Sequence, residues 1–339
     1  MKFFERSRLF ALPVFALFLL GGCVKSNSSP VPGADDVILI GEVDSMTGPE
    51  ATFGIDTYRG ITLAIDLANA NGGVKGKKLR LISSDVQGRP DEGARAISKL
   101  ITQDKVVAVL TGTTSSNALA MAPLAQHHQI PMVASAATAP KLTTLGDYIF
   151  RVCFIDPFQG ATLARFAATN LKAKTVAIMR DVKSDYSVGL ADEFLKVFKA
   201  NGGVGIEAPL LGGDGWDSPK LKEIGGDALV GSYFLNFYTA DDPSLHVKGF
   251  ITAFQSKFNE IPDGSAAMGF EAANFLINGL KNAKTLSSKD IREALGATRD
   301  LPTLNGKMSV DSYRNAVKPA VILKINKDTG PQYFATVNP

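Results

Sequence analysis

The chain has 339 residues, 45% of them hydrophobic and 20% charged, with a formal charge of +3. That is enough apolar material for one large or two medium cores. The near balance of charge removes any electrostatic case for nucleic-acid binding.

The N-terminus reads as a processing signal. Lys2, Arg6 and Arg8 precede "LFALPVFALFLL" (9–20), an apolar run too short to span a bilayer comfortably. Gly21, Gly22 and Cys23 follow, and this "LGGC" resembles the bacterial lipoprotein signal, in which the cysteine takes a diacylglyceryl group before cleavage. The expectation is a signal peptide over 1–22, lipidation at Cys23, and a Ser- and Pro-rich tether over 23–36. Removal of 1–22 lowers the charge to +1, and acylation of Cys23 leaves Cys153 as the sole free thiol, so no intrachain disulfide can form. In "YIFRVCFID" that thiol reads as buried and inert.

From residue 37 apolar runs alternate with helical periodicity. "VILIGEV" (37–43) is a strand, and a helix over 57–73 places Tyr58, Ile61, Ile65 and Ala68 on one face before Gly72 and Gly73 stop it. "LRLISSD" (79–85) is a strand, followed by a helix at 90–104 with Pro and acids in its first turn. "VVAVLTG" (106–112), a helix at 115–129 and "PMVAS" (131–135) complete a run of βα units, which predicts a parallel, doubly wound sheet. The pattern restarts with strand 148–154, helix 157–171, strand "TVAIMRD" (175–181) and helix 187–201. Strands at 209–214 and 228–238, helices at 244–259, 265–283 and 287–298, and a closing strand at 319–325 follow. The fold class is therefore α/β, in two doubly wound halves with a cleft between them.

In open α/β sheets ligands bind beyond the carboxyl ends of the strands. Three loops qualify: "DSMTGPEATFG" (44–54), "TGTTSSN" (111–117) and "ASAATAP" (134–140). The second opens a helix, whose free N–H groups suit an anion, although Ser115 or Ser116 could merely cap it. The third is reduced to small side chains, as a close approach to backbone requires. Catalytic and metal signals are poor. The three histidines, His127, His128 and His246, fall in no ligating or catalytic pattern, and no metal or cofactor is implied. "GGVKGKK" (72–78) lacks the spacing of a phosphate loop, and the glycines of 203–215 do not match a dinucleotide fingerprint.

"DSMTGPEATFG…YRGITLAIDLANANGGVKGKKLRL", "TGTTSSNALAMAPLAQHHQIPMVASAATAPKLT" and "IFRVCFIDPFQG" resemble the type I periplasmic solute-binding proteins, above all the leucine/isoleucine/valine-binding proteins of ATP-driven uptake systems. The likeness runs from about 37 to 325. It implies a non-catalytic receptor that closes two lobes on an amino acid and presents it to a membrane permease with its ATPase. Localisation would be the cell envelope, lipid-anchored and facing the periplasm or exterior. Carried over, Ser115 and Thr138 bind the ligand carboxylate. The Ala136 carbonyl and the Thr138 hydroxyl accept from its ammonium, with Ala137 between them. Asp214, where the family often has Glu, supplies the acid of the second lobe. Tyr186 covers the ligand and Phe53 lines its side-chain pocket.

The likeness breaks near residues 203–207, where only "VGIE" separates a helix from "APLLGGDGW". Roughly two βα units of the family are absent there, at about 30 residues for a minimal βαβ. The family's crossovers would assign 36–155 and 239–318 to lobe one, and 156–238 and 319–339 to a reduced lobe two. Alternatives are a sensor or interaction protein on the same scaffold, a non-binding remnant, and, most remotely, an enzyme.

Overall fold

The computed structural model describes residues 37–339 except 175, 177, 201–209, 219, 220, 222 and 224. The signal, Cys23 and the tether lie outside the described residues, as does the break at 203–207.

Five strands form the first sheet: β1 (Val37–Asp44), β2 (Lys78–Asp85), β3 (Ala108–Thr111), β4 (Met132–Ala134) and β5 (Ile149–Arg151). Their order is β2-β1-β3-β4-β5 and every pair is parallel. The helices between them are α1 (Ala51–Ala70), α2 (Pro90–Thr102), α3 (Ser115–His127) and the short α4 (Lys141–Thr144). Burial on both faces explains the near-continuous apolar runs of β1 and β3. In α2, Pro90 opens the helix, Asp91 and Glu92 occupy its first turn, and Ile97, Leu100 and Ile101 turn inward. The strand order reverses between β1 and β3, which makes a switch point at their carboxyl ends.

Two helices, α5 (Asp156–Thr169) and α6 (Asp185–Ala200), pack together beyond β5. They lie against a second sheet made of β6 (Leu211–Gly212) and β7 (Tyr233–Asn236) with two strands from the chain's end. The chain then returns to the first sheet's side with α7 (Leu245–Phe258), α8 (Gly264–Asn282) and α9 (Ser288–Gly296). The helix α8 crosses α1 at backbone contact. A Cβ on Gly60 would stand 1.9 Å from the Ala266 carbonyl oxygen, and one on Gly269 would stand 2.2 Å from that of Thr57. A small antiparallel meander, β8 (Leu301–Thr303), β9 (Gly306–Val310) and β10 (Ala316–Val317), leads into β11 (Ala320–Asn326) and β12 (Gly330–Val337). The second sheet runs β12-β11-β7-β6, with only β6 and β7 parallel.

Several expectations need correcting. No strand forms at 175–181 among its described residues, and Met179 is 99% exposed. A strand there needs a neighbour for its N–H and C=O groups, and β6 is only two residues long. The strand expected over 228–238 shrinks to Tyr233–Asn236, because Gly226–Leu229 form a 3-10 turn and Gly231 sits at φ +85°. The meander and β12 were not anticipated. The turn from β8 to β9 is Leu304-Asn305, and the Asn305-Gly306 pair that ends it and opens β9 is a hairpin signal that the search for longer elements passed over.

Candidate functional site

A cavity lies between the two sheets at the switch point. Its floor comes from the carboxyl ends of β1 and β3: Asp44 and Ser45, then Gly112, Thr113, Thr114 and Ser115. Glu50, Phe53 and Gly54 close one side, and the first turn of α8 contributes Gly264, Ser265 and Met268. The facing wall carries Tyr186 of α6, then Asp214, Gly215 and Asp217 from a 3-10 turn, and Asn236 and Phe237 at the end of β7.

Five of the residues singled out from sequence therefore line one cavity: Phe53, Ser115, Ala136, Tyr186 and Asp214. Ala137 and Thr138 do not line it. The Ala137 carbonyl accepts from Arg151 Nη1 at 2.7 Å and the Ala139 carbonyl from Arg151 Nη2 at 2.8 Å. Arg151 is fully buried, so the small side chains of "ASAATAP" also make room for a guanidinium beneath the loop. The loop is pinned from the other side by Ser115, whose Oγ accepts from Ala139 N at 3.1 Å. Thr138 is fully buried beside Asp156, whose amide donates to the Thr138 carbonyl at 3.2 Å. Its hydroxyl makes no hydrogen bond of good geometry.

On the facing wall, Tyr186 Oη donates to Asp214 Oδ1 at 2.9 Å, and Gln159 Nε2 donates to the same oxygen at 2.9 Å. Asp214 N returns a bond to Gln159 Oε1 at 3.1 Å. Gly213 is required here, since a Cβ would come within 2.2 Å of the Tyr186 hydroxyl. Burial pushes the Asp214 carboxyl up to about 7, against the lowering effect of the tyrosine hydroxyl. The same burial, with Asp214 beside it, holds the Tyr186 phenol well above its ordinary value.

The floor is acidic too. Both oxygens of Asp44 accept from Gly112 N, at 3.0 and 3.1 Å. Burial raises this acid well above the carboxylate range, and the neighbouring charge of Glu42 adds to the effect. Glu42, two residues earlier on β1 and fully buried, is itself pushed to about 7 by burial. Glu50 Oε2 accepts from Ser45 Oγ at 3.2 Å.

Two contacts tie the walls together. Ser116 Oγ donates to Asp185 Oδ2 at 2.9 Å, joining α3 to α6. Asp217 Oδ2 accepts from Gly264 N at 2.6 Å and from Asn236 Nδ2 at 2.8 Å, joining the 3-10 turn to the start of α8. These contacts bridge the two walls of the cavity.

Asp44, Glu50, Asp217 and Asn236 on the cavity, and Gln159 and Arg151 behind it, were missed from sequence. Arg151 had a signal, since an arginine inside an apolar strand run must find buried acceptors. Burial pushes the Cys153 thiol up to about 12, which keeps it protonated and unreactive at neutral pH.

Comparison with known proteins shows the family and the fold. The sequence model of the periplasmic binding protein family matches residues 37–210 and 193–330, in two pieces that overlap where the likeness breaks. The chain is 26% identical over 332 residues to the Leu/Ile/Val-binding protein BraC3 of Rhizobium johnstonii, covering 83% of this chain and 89% of that protein. Its fold matches the leucine-binding protein LivK of Thermotoga maritima with a TM-score of 0.82 and 29% identity, over 89% of this chain and 99% of the other. LivJ of Streptococcus pneumoniae, solved with isoleucine, gives 0.82 and 27%, over 89% and 100%.

Proposed function

Because the chain belongs to the periplasmic binding protein family, we propose that it is an extracytoplasmic amino-acid receptor of an ATP-driven uptake system. The carrying observation is a cavity between the two sheets with a helix N-terminus on one wall and an acid on the other. The first turn of α3 offers free N–H groups and the Ser115 hydroxyl to a carboxylate. Asp214, oriented by Tyr186 and Gln159, accepts an ammonium group. An α-amino acid carries both groups on one carbon, and the names of the relatives point first to leucine, isoleucine and valine.

In this reading the first sheet with α7 to α9 is one lobe, and α5, α6 and the second sheet are the other. Cys23 carries the lipid that tethers the receptor, and a permease with its ATPase takes the ligand from the closed form. Thr138 enters the site only if its loop turns toward the cavity. The test is thermal unfolding of the protein without and with a panel of amino acids. Ligand at about 100 times its dissociation constant adds roughly 2.7 kcal/mol of stability. A cooperative melt that no amino acid shifts refutes the receptor reading.

A further inference from the structure

The cavity walls carry more acid than a single ammonium group can use. Asp44 and Glu50 stand on the first sheet's side, and Asp214 and Asp217 on the second's. Among the described residues, no lysine, arginine or histidine lines the same space.

Each of the four acids is met by neutral donors. Gly112 N reaches both oxygens of Asp44, while Ser45 Oγ at 3.2 Å and Asn117 Nδ2 at 3.4 Å reach Glu50. Tyr186 and Gln159 serve Asp214, and Asn236 and Gly264 serve Asp217. Such bonds orient a carboxylate without neutralising it. Burial holds all four above the ordinary carboxylate range.

The division of labour along the cavity follows from the amino-acid reading, on which this inference rests. The ligand's carboxylate occupies the start of α3 and its ammonium meets Asp214. Asp217 is engaged in joining the walls. Glu50 is left over, half-buried on the wall that also carries the Thr113 and Thr114 hydroxyls, with the fully buried Asp44 close behind it. Phe53 lines the same region and offers a ring to the ligand's methylenes. An apolar side chain placed here would strip water from Glu50 and return nothing, which is costly. A side-chain cation would pair with Glu50 in a dry setting, where charge-assisted hydrogen bonds are strongest.

The geometry points to a ligand whose side chain ends in a cation: a basic amino acid, in preference to leucine, isoleucine or valine. The cavity thus keeps the family's way of holding the α-amino acid group and changes what it asks of the side chain.

The test is titration calorimetry at pH 8 with lysine, norleucine, leucine and glutamate. Norleucine has lysine's carbon chain without the amine, so the pair isolates the cation. Lysine should bind at least about tenfold tighter than norleucine or leucine, and glutamate weakest of all. Glu50→Gln should cut the lysine-to-norleucine ratio by about fivefold or more. If that variant fails to fold, the wild-type ratio decides alone. Leucine or norleucine binding as tightly as lysine overturns the inference and leaves the receptor reading standing. A folded Glu50→Gln protein with an unchanged ratio also overturns it. If none of the four binds, both readings fail.

Discussion

Replacing Tyr186 by Phe removes one hydroxyl and tests the acid of the second wall directly. In the wild type, Asp214 ionises near pH 7 because burial opposes its charge while the Tyr186 hydroxyl, 2.9 Å away, supports it. A hydrogen bond to a charged group is worth about 1.5–3 kcal/mol. Losing the lower figure raises the pH at which Asp214 ionises by about one, at 1.36 kcal/mol per tenfold. At pH 7 the ionised fraction falls from about a half to about a tenth, and the apparent affinity for an ammonium-bearing ligand falls about fivefold with it. The assay is titration calorimetry with the tightest-binding amino acid, on both proteins, from pH 6 to pH 9. The deficit should be widest at or below pH 7 and should shrink toward pH 9, where Asp214 is ionised in either protein. A loss of equal size at every pH would show that Tyr186 acts by contact with the ligand and refute the reasoning. An unchanged affinity would remove Asp214 from the site.

The other predictions concern stability. Glu42, Asp44, Asp156 and Asp214 all bind their protons more tightly folded than unfolded, the first and last ionising near pH 7 and Asp156 near 6. The folded state therefore holds more protons between the ordinary carboxylate range and about pH 7, so ligand-free stability falls as pH rises through that window. The lowered acids Asp85, Asp91, Asp147 and Asp290 oppose this only weakly, being near the surface. Calorimetric melting without ligand should give a higher Tm at pH 5 than at pH 8, and the reverse order refutes the account. Gly60→Ala drives a Cβ to 1.9 Å from the Ala266 carbonyl and should cost about 1–3 kcal/mol in urea unfolding, as α1 and α8 are forced apart. An unchanged midpoint would show that the two helices yield freely. Arg151→Met leaves the Ala137 and Ala139 carbonyls without their guanidinium donor and should cost about 2–5 kcal/mol by the same measurement. A neutral result would mean that the loop finds other donors.

The alternation of apolar runs and helical periods from 37 to 135 was readable because β1, β3 and β4 are largely buried on both faces, while the edge strand β2 still carries Leu79, Leu81 and Ile82 among its exposed polar residues. The same rule placed the loops after β1, β3 and β4 at one edge, and Phe53, Ser115 and Ala136 do line a common cavity there. Tyr186 and Asp214 reached the list through the family resemblance, since nothing in their local spacing joins positions 28 residues apart. Gln159 was invisible for the same reason: its partner, Asp214, is 55 residues away. The segment 175–181 misled because its composition favours a strand, whereas a strand exists only where another stands beside it.

By itself the sequence determined the α/β class, the chain order of the first sheet and the loops that can carry a ligand. Each of these follows from local periodicity and from the rule that parallel strands present their carboxyl ends together. Only the tertiary structure decided that four acids meet across the cavity, with no cation among the described residues that line it. Those acids come from the end of β1, the approach to α1 and the turn beyond β6. Long-range packing rather than local sequence sets which acids share that space.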